Sequence, residues 1–398
     1  ISACLVGSEM CIRDRYIGTY QVKGNAAMPQ PLAIAIIGAG PAGLTAANVL
    51  QRHGWRADIF EADGALGARD QGGSLDLHPG EGQLALHKAG LFDAFMAIAR
   101  HEDQEQRLAD HATGELLREE IPEPGAGDHP EIDRVVLREL LLQRLAPDTV
   151  RWGVRLHEVV ARPDGRYDLR CQDGLAGPYD LVVGADGAWS KVRAALTPVQ
   201  PAYTGVTFVE LWLTDVDRRH PEIARRVGHG TYFSMHGGAG IVAQRNGNAT
   251  LRVYAAIRTS PEETDRPDLA LAGMTREDLL ARFPGWAPSL LAMIRQADRI
   301  AALRPIVALP PGTRWPHRAG LTLVGDAAHV MPPLGVGVNL AMLDAAELAE
   351  ALVGGGDWRA AQQRYEAGML DRAAEIAAQC AQSFEEMFEE EGLSLIHI

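Results

Sequence analysis

The stretch Leu32 to Gly54, LAIAIIGAGPAGLTAANVLQRHG, decides the fold. Leu32 to Ile37 is a short apolar run suited to a strand buried on both faces. The turn Gly38-Ala39-Gly40-Pro41-Ala42-Gly43 follows, and the pattern predicts a helix over Ala42 to His53 with Gly54 as its stop. A second strand in RADIFEA ends at Glu61, 18 residues past Gly43. This is a βαβ opening, hence a parallel sheet. The glycines have separate tasks. Gly38 permits the tight turn, Gly40 lets a pyrophosphate approach bare backbone, and Gly43 lets helix and strand pack closely. The helix start at Pro41 and Ala42 offers free N–H groups and a partial positive charge to phosphates. Glu61 is placed to accept hydrogen bonds from an adenosine ribose. Strand, helix and acid together predict a dinucleotide and leave NAD and FAD open.

The bulk numbers bound the rest. The 398 residues are 46% hydrophobic and 23% charged, with a net charge of −14, ordinary for a soluble chain of about two domains. No Lys/Arg-rich run relieves that balance, so neither nucleic acid nor an anionic membrane is expected as a partner. Pro29 to Gln51 carries no charge, but GAGPAG inside it argues for strand, turn and helix over a membrane span. Residues 1–27 and 393–398 read as foreign flanks, with VGSEMCIRDR and LSLIHI as their signatures, and are set aside. That leaves Cys171 and Cys380, too few for a disulfide framework or a metal set. A cytoplasmic, monomeric protein without a metal is expected.

Two later motifs decide between the dinucleotides. DLVVGADGAWSKVR places Asp186 after an apolar strand, with Ser190, Lys191 and Arg193 close behind. LTLVGDAAHVMPP places Asp326 after another. A carboxylate at a strand's C-terminal end can hold a polyol such as a ribityl chain. A helix starting near Gly335 to Asn339 would aim its N-terminus, with Gly337 and Val338, at a flavin ring. Gly335 belongs to the same loop, and Met331, Pro332 and Pro333 are expected to form an apolar wall beside the ring. His329 reads as a packed or capping histidine. Between Tyr203 and Ile257 the pattern alternates, as antiparallel strands with one solvated face do. Asp133 to Leu145 predicts a helix, and a long helical stretch closes the chain. The expected class is α/β, with a Rossmann-like FAD-binding domain, an interleaved antiparallel-sheet substrate domain and a long C-terminal bridging helix. The FAD-binding domain is expected over 28–88, 127–188 and 289–333, the substrate domain over 89–126 and 189–288, and the helical region over 334–392.

Together the three motifs resemble the class A flavin monooxygenases, the family of para-hydroxybenzoate hydroxylase, from Leu32 to about Gly392. GGSLDLHPGEGQLALHKAGLFDAF, EIDRVVLRELLL, GDAAHVMPP and RYEAGML…SFEEMF are similar to the tetracycline destructases of that family. The resemblance implies FAD and NADPH as cofactors. It implies inactivation of tetracycline-like antibiotics by hydroxylation with dioxygen through a flavin hydroperoxide, with no acid, base or nucleophile of the protein as catalyst. It places Asp76 and Arg138 at FAD and Arg69 near NADPH. It places Phe208, Glu210, Thr231, Phe233, His236 and Arg252 around the substrate, with Phe384 and Met387 lent by the terminal helix. Glu210 and Thr231 stand where the destructases place a glutamine and an arginine, and Arg252 where they place a histidine. Two alternatives stay open: a hydroxylase of another aromatic or polyketide metabolite, and a flavoprotein that binds without turnover.

Overall fold

Ile34–Ile37 is the middle strand of a five-stranded parallel sheet ordered Leu321–Leu323, Leu181–Gly184, Ile34–Ile37, Ala57–Glu61, Val150–Trp152. The computed structural model describes residues 32–68, 72–123, 125–259 and 273–389, all in the unit that starts at Leu32. Arg69 and both flanks expected to be foreign lie outside the described residues. Every residue of Ile34–Ile37 is buried, as a strand covered on both faces must be. The chain leaves it first towards Ala57–Glu61 and Val150–Trp152, then returns to its other side with Leu181–Gly184 and Leu321–Leu323. Strand order therefore reverses at Ile37, and the crevice for a ligand opens at that strand's C-terminal end.

Six helices matter for the site: α1 (Pro41–Arg52), α2 (Arg134–Gln143), α3 (Lys191–Ala194), α4 (Asp326–His329), α5 (Gly337–Val353) and α6 (Trp358–Met387). Helix α1 has proline in its first turn, where a missing N–H costs nothing, and buries Ala42 to Leu50. Helix α6 has 30 residues, hence a length of about 45 Å, and starts from an Asp357 cap that accepts Arg359 N–H. Near its start Gln362 accepts Gly320 N–H at 2.9 Å and donates to Leu321 O at 3.0 Å, while Tyr365 donates to Leu323 O. Near its end Phe384 packs with Val206, Met235 and Ala256 of the second sheet. The helix thus bridges the two sheets.

That second sheet has seven strands, ordered Arg299–Ala308, Ala202–Leu213, Thr250–Arg258, Ala239–Asn246, Gly230–His236, Glu105–Ala109, Leu116–Glu120. All its pairings are antiparallel except Gly230–His236 with Glu105–Ala109, which run parallel. Alternation sorts its side chains. Val209, Leu211, Leu213, Val253, Ala255 and Ile241 face a core closed by Leu279, Phe283 and Leu290, while Phe208, Glu210 and Trp212 face the other way. Residues 299–308 were expected in the third FAD-binding segment. They pair instead with Ala202–Leu213, so the changeover to the parallel sheet comes after Ala308. Local pattern cannot reveal that, because strand partnership is a long-range choice. A three-stranded antiparallel sheet, Leu156–Ala161, Tyr167–Cys171 and Gly174–Tyr179, flanks the parallel one. The short pair Ser74–Asp76 with Glu131–Asp133 lies by the open face of the seven-stranded sheet: a Cβ on Gly73 would lie 2.8 Å from Tyr254 Oη and 2.9 Å from Gln244 Oε1.

Candidate active site

Three loops meet at the strand-order reversal. Gly38 has φ +108°, and a Cβ there would fall 2.2 Å from Ala185 O, so the first glycine sits hard against the turn after Leu181–Gly184. A Cβ on Gly43 would fall 2.1 Å from Gly38 O, which closes helix onto strand. Gly325, φ +59°, meets Ala341 at 2.8 Å and Ala42 at 3.4 Å by the same measure, so the third loop is wedged between α5 and α1. Gly40 and Gly337 differ: nothing lies within 4 Å of a Cβ at either. Neither α1 nor α5 has a side-chain cap, so both N-termini keep free N–H groups.

The carboxylates divide by what they already hold. Glu61, 7% exposed, accepts Ala39 N–H at 2.7 Å and Asp63 N–H at 2.8 Å, so it ties the glycine turn to the second strand's end. A carboxylate has about four lone-pair sites, and room remains for ribose hydroxyls. Asp326 is the single exposed residue between Gly320 and Pro332, and nothing among the described residues hydrogen-bonds its carboxylate. Asp186 accepts Ser190 Oγ–H at 2.5 Å and Lys191 N–H at 2.7 Å, and so shapes the loop before the Ser190 cap of α3. As at Glu61, a carboxylate with these bonds keeps lone pairs for a ligand. Asp76 lies across from Gly335, whose Cβ would fall 3.9 Å from Asp76 Oδ2. Its backbone is fixed by Asn339, 0% exposed, which donates to Asp76 O and accepts His78 N–H, each at 2.9 Å.

Arg138 on α2 is 1% exposed, donates from Nε to Ala39 O at 2.9 Å, and has Nη2 3.9 Å from Glu61 Oε2. It thus holds a positive charge under the glycine turn. Buried Arg193 donates from Nη1 to Ala327 O at 2.9 Å and from Nη2 to Ala188 O at 2.5 Å, joining the second loop to the third. His329 sits against Asp344, Nε2 to Oδ2 at 2.5 Å, and Arg372 reaches the other oxygen at 2.8 Å. Burial pulls the imidazole pKa down, but Asp344 outweighs it and the net shift is upward. His329 is a packed ion-pair partner, as its sequence setting implied. His78 is pushed up to about 9 by hydrogen bonds to Asp76 and Glu81.

The open sheet face gathers most of the expected substrate residues. Register puts Phe208, Glu210, Arg252, Thr231 and Phe233 on one face, together with Tyr254 and Gln244. His236 belongs to the opposite face, where its ring stacks on His111 at 3.6 Å beside Trp286. Odd and even positions of a strand point opposite ways, so Phe233 and His236 cannot share a face. At one end of this face Phe208 joins Leu334, Phe384 and Met387 in one apolar cluster. Met331 is buried in another, against Leu340, Ala377 and Cys380, and so backs the loop from behind; Pro332 is buried and Pro333 exposed. Sequence reasoning missed Arg304 and Trp212, which both bind Glu210. Trp212 was findable as the i+2 neighbour of Glu210 on a strand; Arg304 needed the register.

These groups fit a flavin dinucleotide. Open backbone at Gly40 and an uncapped helix start suit a pyrophosphate, an unengaged exposed acid suits a polyol, and the second uncapped helix start at Gly337 suits an anionic ring edge. A family profile described as FAD binding domain matches residues 32–382. The chain is 32% identical over 372 residues to "Monooxygenase asqM" of Emericella nidulans, covering 80% of this chain and 83% of that one. It is 32% identical over 357 residues to "3-amino-4-hydroxybenzoate 2-monooxygenase PtmB3" of Streptomyces platensis, covering 86% and 85%. The fold is shared with the crystal structure of tetracycline destructase Tet(55), at a TM-score of 0.67 and 22% identity over 92% of this chain and 93% of that one.

Proposed function

The chain belongs to the FAD-binding-domain family, the class A flavin monooxygenases, and from that premise we propose that it hydroxylates, and so inactivates, tetracycline-like polyketides with NADPH and dioxygen. The observation that carries the reading is the meeting of three loops, with Gly38 against Ala185 and Gly325 between Ala42 and Ala341, around an exposed Asp326. Bound FAD supplies the redox chemistry of the overall conversion, in which a substrate C–H, O2, NADPH and H⁺ give C–OH, water and NADP⁺.

The chain's own residues bind, orient and exclude water. Gly40 and the α1 N-terminus take the pyrophosphate, Glu61 the adenosine ribose, and Asp326 the ribityl hydroxyls. Arg138 fixes the turn and adds positive charge beneath the phosphates. The α5 N-terminus, with Gly337 and Val338, faces negative charge on the ring, and Asn339 and Asp76 hold the loop opposite. The substrate lies on the open sheet face, where Phe208, Phe384, Met387 and Leu334 make the site's apolar wall. No side chain is assigned a proton-transfer role.

Support for the polyketide reading comes from the motifs shared with the destructases; the relative from Streptomyces platensis supports a second reading, hydroxylation of a smaller phenol. One assay set separates them. The purified protein is expected to be yellow, and NADPH oxidation to rise with tetracycline as its absorbance band falls. A rise with 3-amino-4-hydroxybenzoate alone selects the second reading. Retained FAD with no substrate-stimulated NADPH oxidation identifies a non-catalytic flavoprotein, and a protein colourless after incubation with FAD overturns the whole scheme.

A further inference from the structure

Asp76, His78 and His129 each present one metal-ligating atom, and the three atoms lie within 4.8 Å of one another. Asp76 Oδ2 and His78 Nε2 are 3.1 Å apart. Two ligands at the usual zinc distances span a tetrahedral edge of about 3.3 Å, so this pair already has the spacing an ion needs. The His129 ring stacks on that of His78, with centroids 4.4 Å apart, and its half-exposed side chain has room to turn the third ligand inward. The other nitrogen of His78, Nδ1, lies 3.2 Å from Glu81 Oε2. A metal-bound imidazole characteristically gives its second N–H to such a carboxylate, which fixes its tautomer and raises its basicity. Cysteine count alone argued against a metal set; the histidines supply one.

The backbone beneath these ligands is held from several directions. Gln83, 7% exposed, donates from Nε2 to Leu77 O and to Asp128 O, each at 2.6 Å. Leu77 separates the first two ligands and Asp128 directly precedes the third, so one buried amide pins both segments. Leu77 N–H reaches Pro130 O at 3.3 Å, and Gln104 Oε1 accepts His129 N–H at 2.9 Å. Asn339 holds Asp76 O and His78 N–H. Both histidines precede a proline, which narrows the backbone choices of each. None of these bonds uses a ligand atom. A surface ion pair needs no such scaffold, whereas a coordination site depends on one.

We propose that Asp76, His78 and His129 bind one divalent ion of the zinc class, with Glu81 orienting His78 and water completing the coordination. Imidazole and carboxylate ligands suit zinc, nickel or copper better than magnesium or calcium. The ion takes the place of the proton that His78 shares with its carboxylates in the metal-free chain. It ties residues 76–78 to residues 128–130. This goes beyond the monooxygenase reading and stands or falls separately from it.

Calorimetric titration of the full FAD-loaded chain with zinc chloride at pH 7.5 tests it. One ion per chain is expected, and the melting temperature should rise with zinc. His129→Ala and Asp76→Asn should each remove that binding step and the rise in melting temperature. Glu81→Gln leaves all three ligands and should weaken binding about 10–100-fold, an effect that a purely structural pair would not have on zinc. His157→Ala, at an exposed histidine elsewhere, should bind zinc as the wild type does. His129 is exposed, so its variant should melt at the wild-type temperature without zinc and keep the test open if Asp76→Asn folds poorly. Zinc affinity that is equal in wild type and His129→Ala means an adventitious ion only and overturns the site, as does a chain that binds no zinc. A chain that holds no FAD yet binds zinc in this pattern overturns the monooxygenase reading and leaves the metal site standing.

Discussion

Asn339 donates from Nδ2 to the Asp76 carbonyl oxygen at 2.9 Å, joining the start of α5 to a short strand 263 residues earlier in the chain. Its Oδ1 accepts the His78 N–H at the same distance, so one fully buried amide holds both ends of the Asp76 turn. Asn339→Leu should leave two half-buried backbone groups without their partner and cost about 1–3 kcal/mol in all. Denaturant unfolding measures the loss, and flavin content should fall with it. Unchanged stability would show that the amide contributes no net clamp.

Gly43 and Gly40 stand three residues apart and should fail differently. A Cβ at Gly43 strikes Gly38 O at 2.1 Å, so Gly43→Ala should damage folding itself, seen as a lowered melting temperature. A Cβ at Gly40 meets nothing within 4 Å, so Gly40→Val should keep the fold and lose flavin. A cooperative melt at the wild-type temperature with no 450 nm absorbance is the expected result for Gly40→Val; stoichiometric flavin would remove that loop from the cofactor site.

Asp326→Ala removes an exposed carboxylate that nothing among the described residues hydrogen-bonds. Stability should stay within about 0.5 kcal/mol. The flavin bound per chain should drop sharply, read as the absorbance ratio at 450 and 280 nm. Asp186→Ala is the contrasting case. It removes the acceptor of Ser190 Oγ–H and Lys191 N–H, leaving the Ser190 cap in place, and should cost about 1 kcal/mol of stability.

The His78 imidazole should make stability fall with rising pH. Its folded pKa is pushed up to about 9 from the usual 6.5 by Asp76 and Glu81, so the charged ring stabilises the fold fully below pH 6.5. That contribution fades as pH rises through 9. Allowing for solvent screening at a partly exposed site, about 1–2 kcal/mol should be lost across this window. Unfolding of wild type and His78→Gln at pH 6 and pH 9.5 checks it. A stability difference that does not shrink at high pH would refute the pairing.

Asp344 carries two partners, the buried His329 and the half-buried Arg372. Asp344→Ala should therefore destabilise by about 3–5 kcal/mol, because it strands charge in the core. The double variant with His329→Leu should recover part of that loss in a double-mutant cycle.

The cofactor motifs were legible because each is local. A strand end, a turn and a helix start lie within a dozen residues, and Gly43 is dictated by a contact inside the turn, with Gly38 O. The place of Asp326 at a strand end, exposed, was legible for the same reason. The local bonds of Asp186 were not legible, because an acid before Ser190 can serve the helix start as readily as a ligand and only the folded geometry shows its hydrogen bonds. His236 misled because a strand turns every second residue away, so a site inferred by resemblance can include a residue on the wrong face.

By itself the sequence determined the βαβ opening, the three glycine-and-acid loops, the alternating sheet and the long closing helix, because periodicity and backbone freedom are properties of neighbours along the chain. The tertiary structure alone decided that Ala42 and Ala341 grip Gly325, that Arg304 and Arg252 meet on Glu210, and that Arg299–Ala308 joins the second sheet. Those relations join residues far apart in the chain. Strand register, close packing and charge pairing fix them only once the chain has folded.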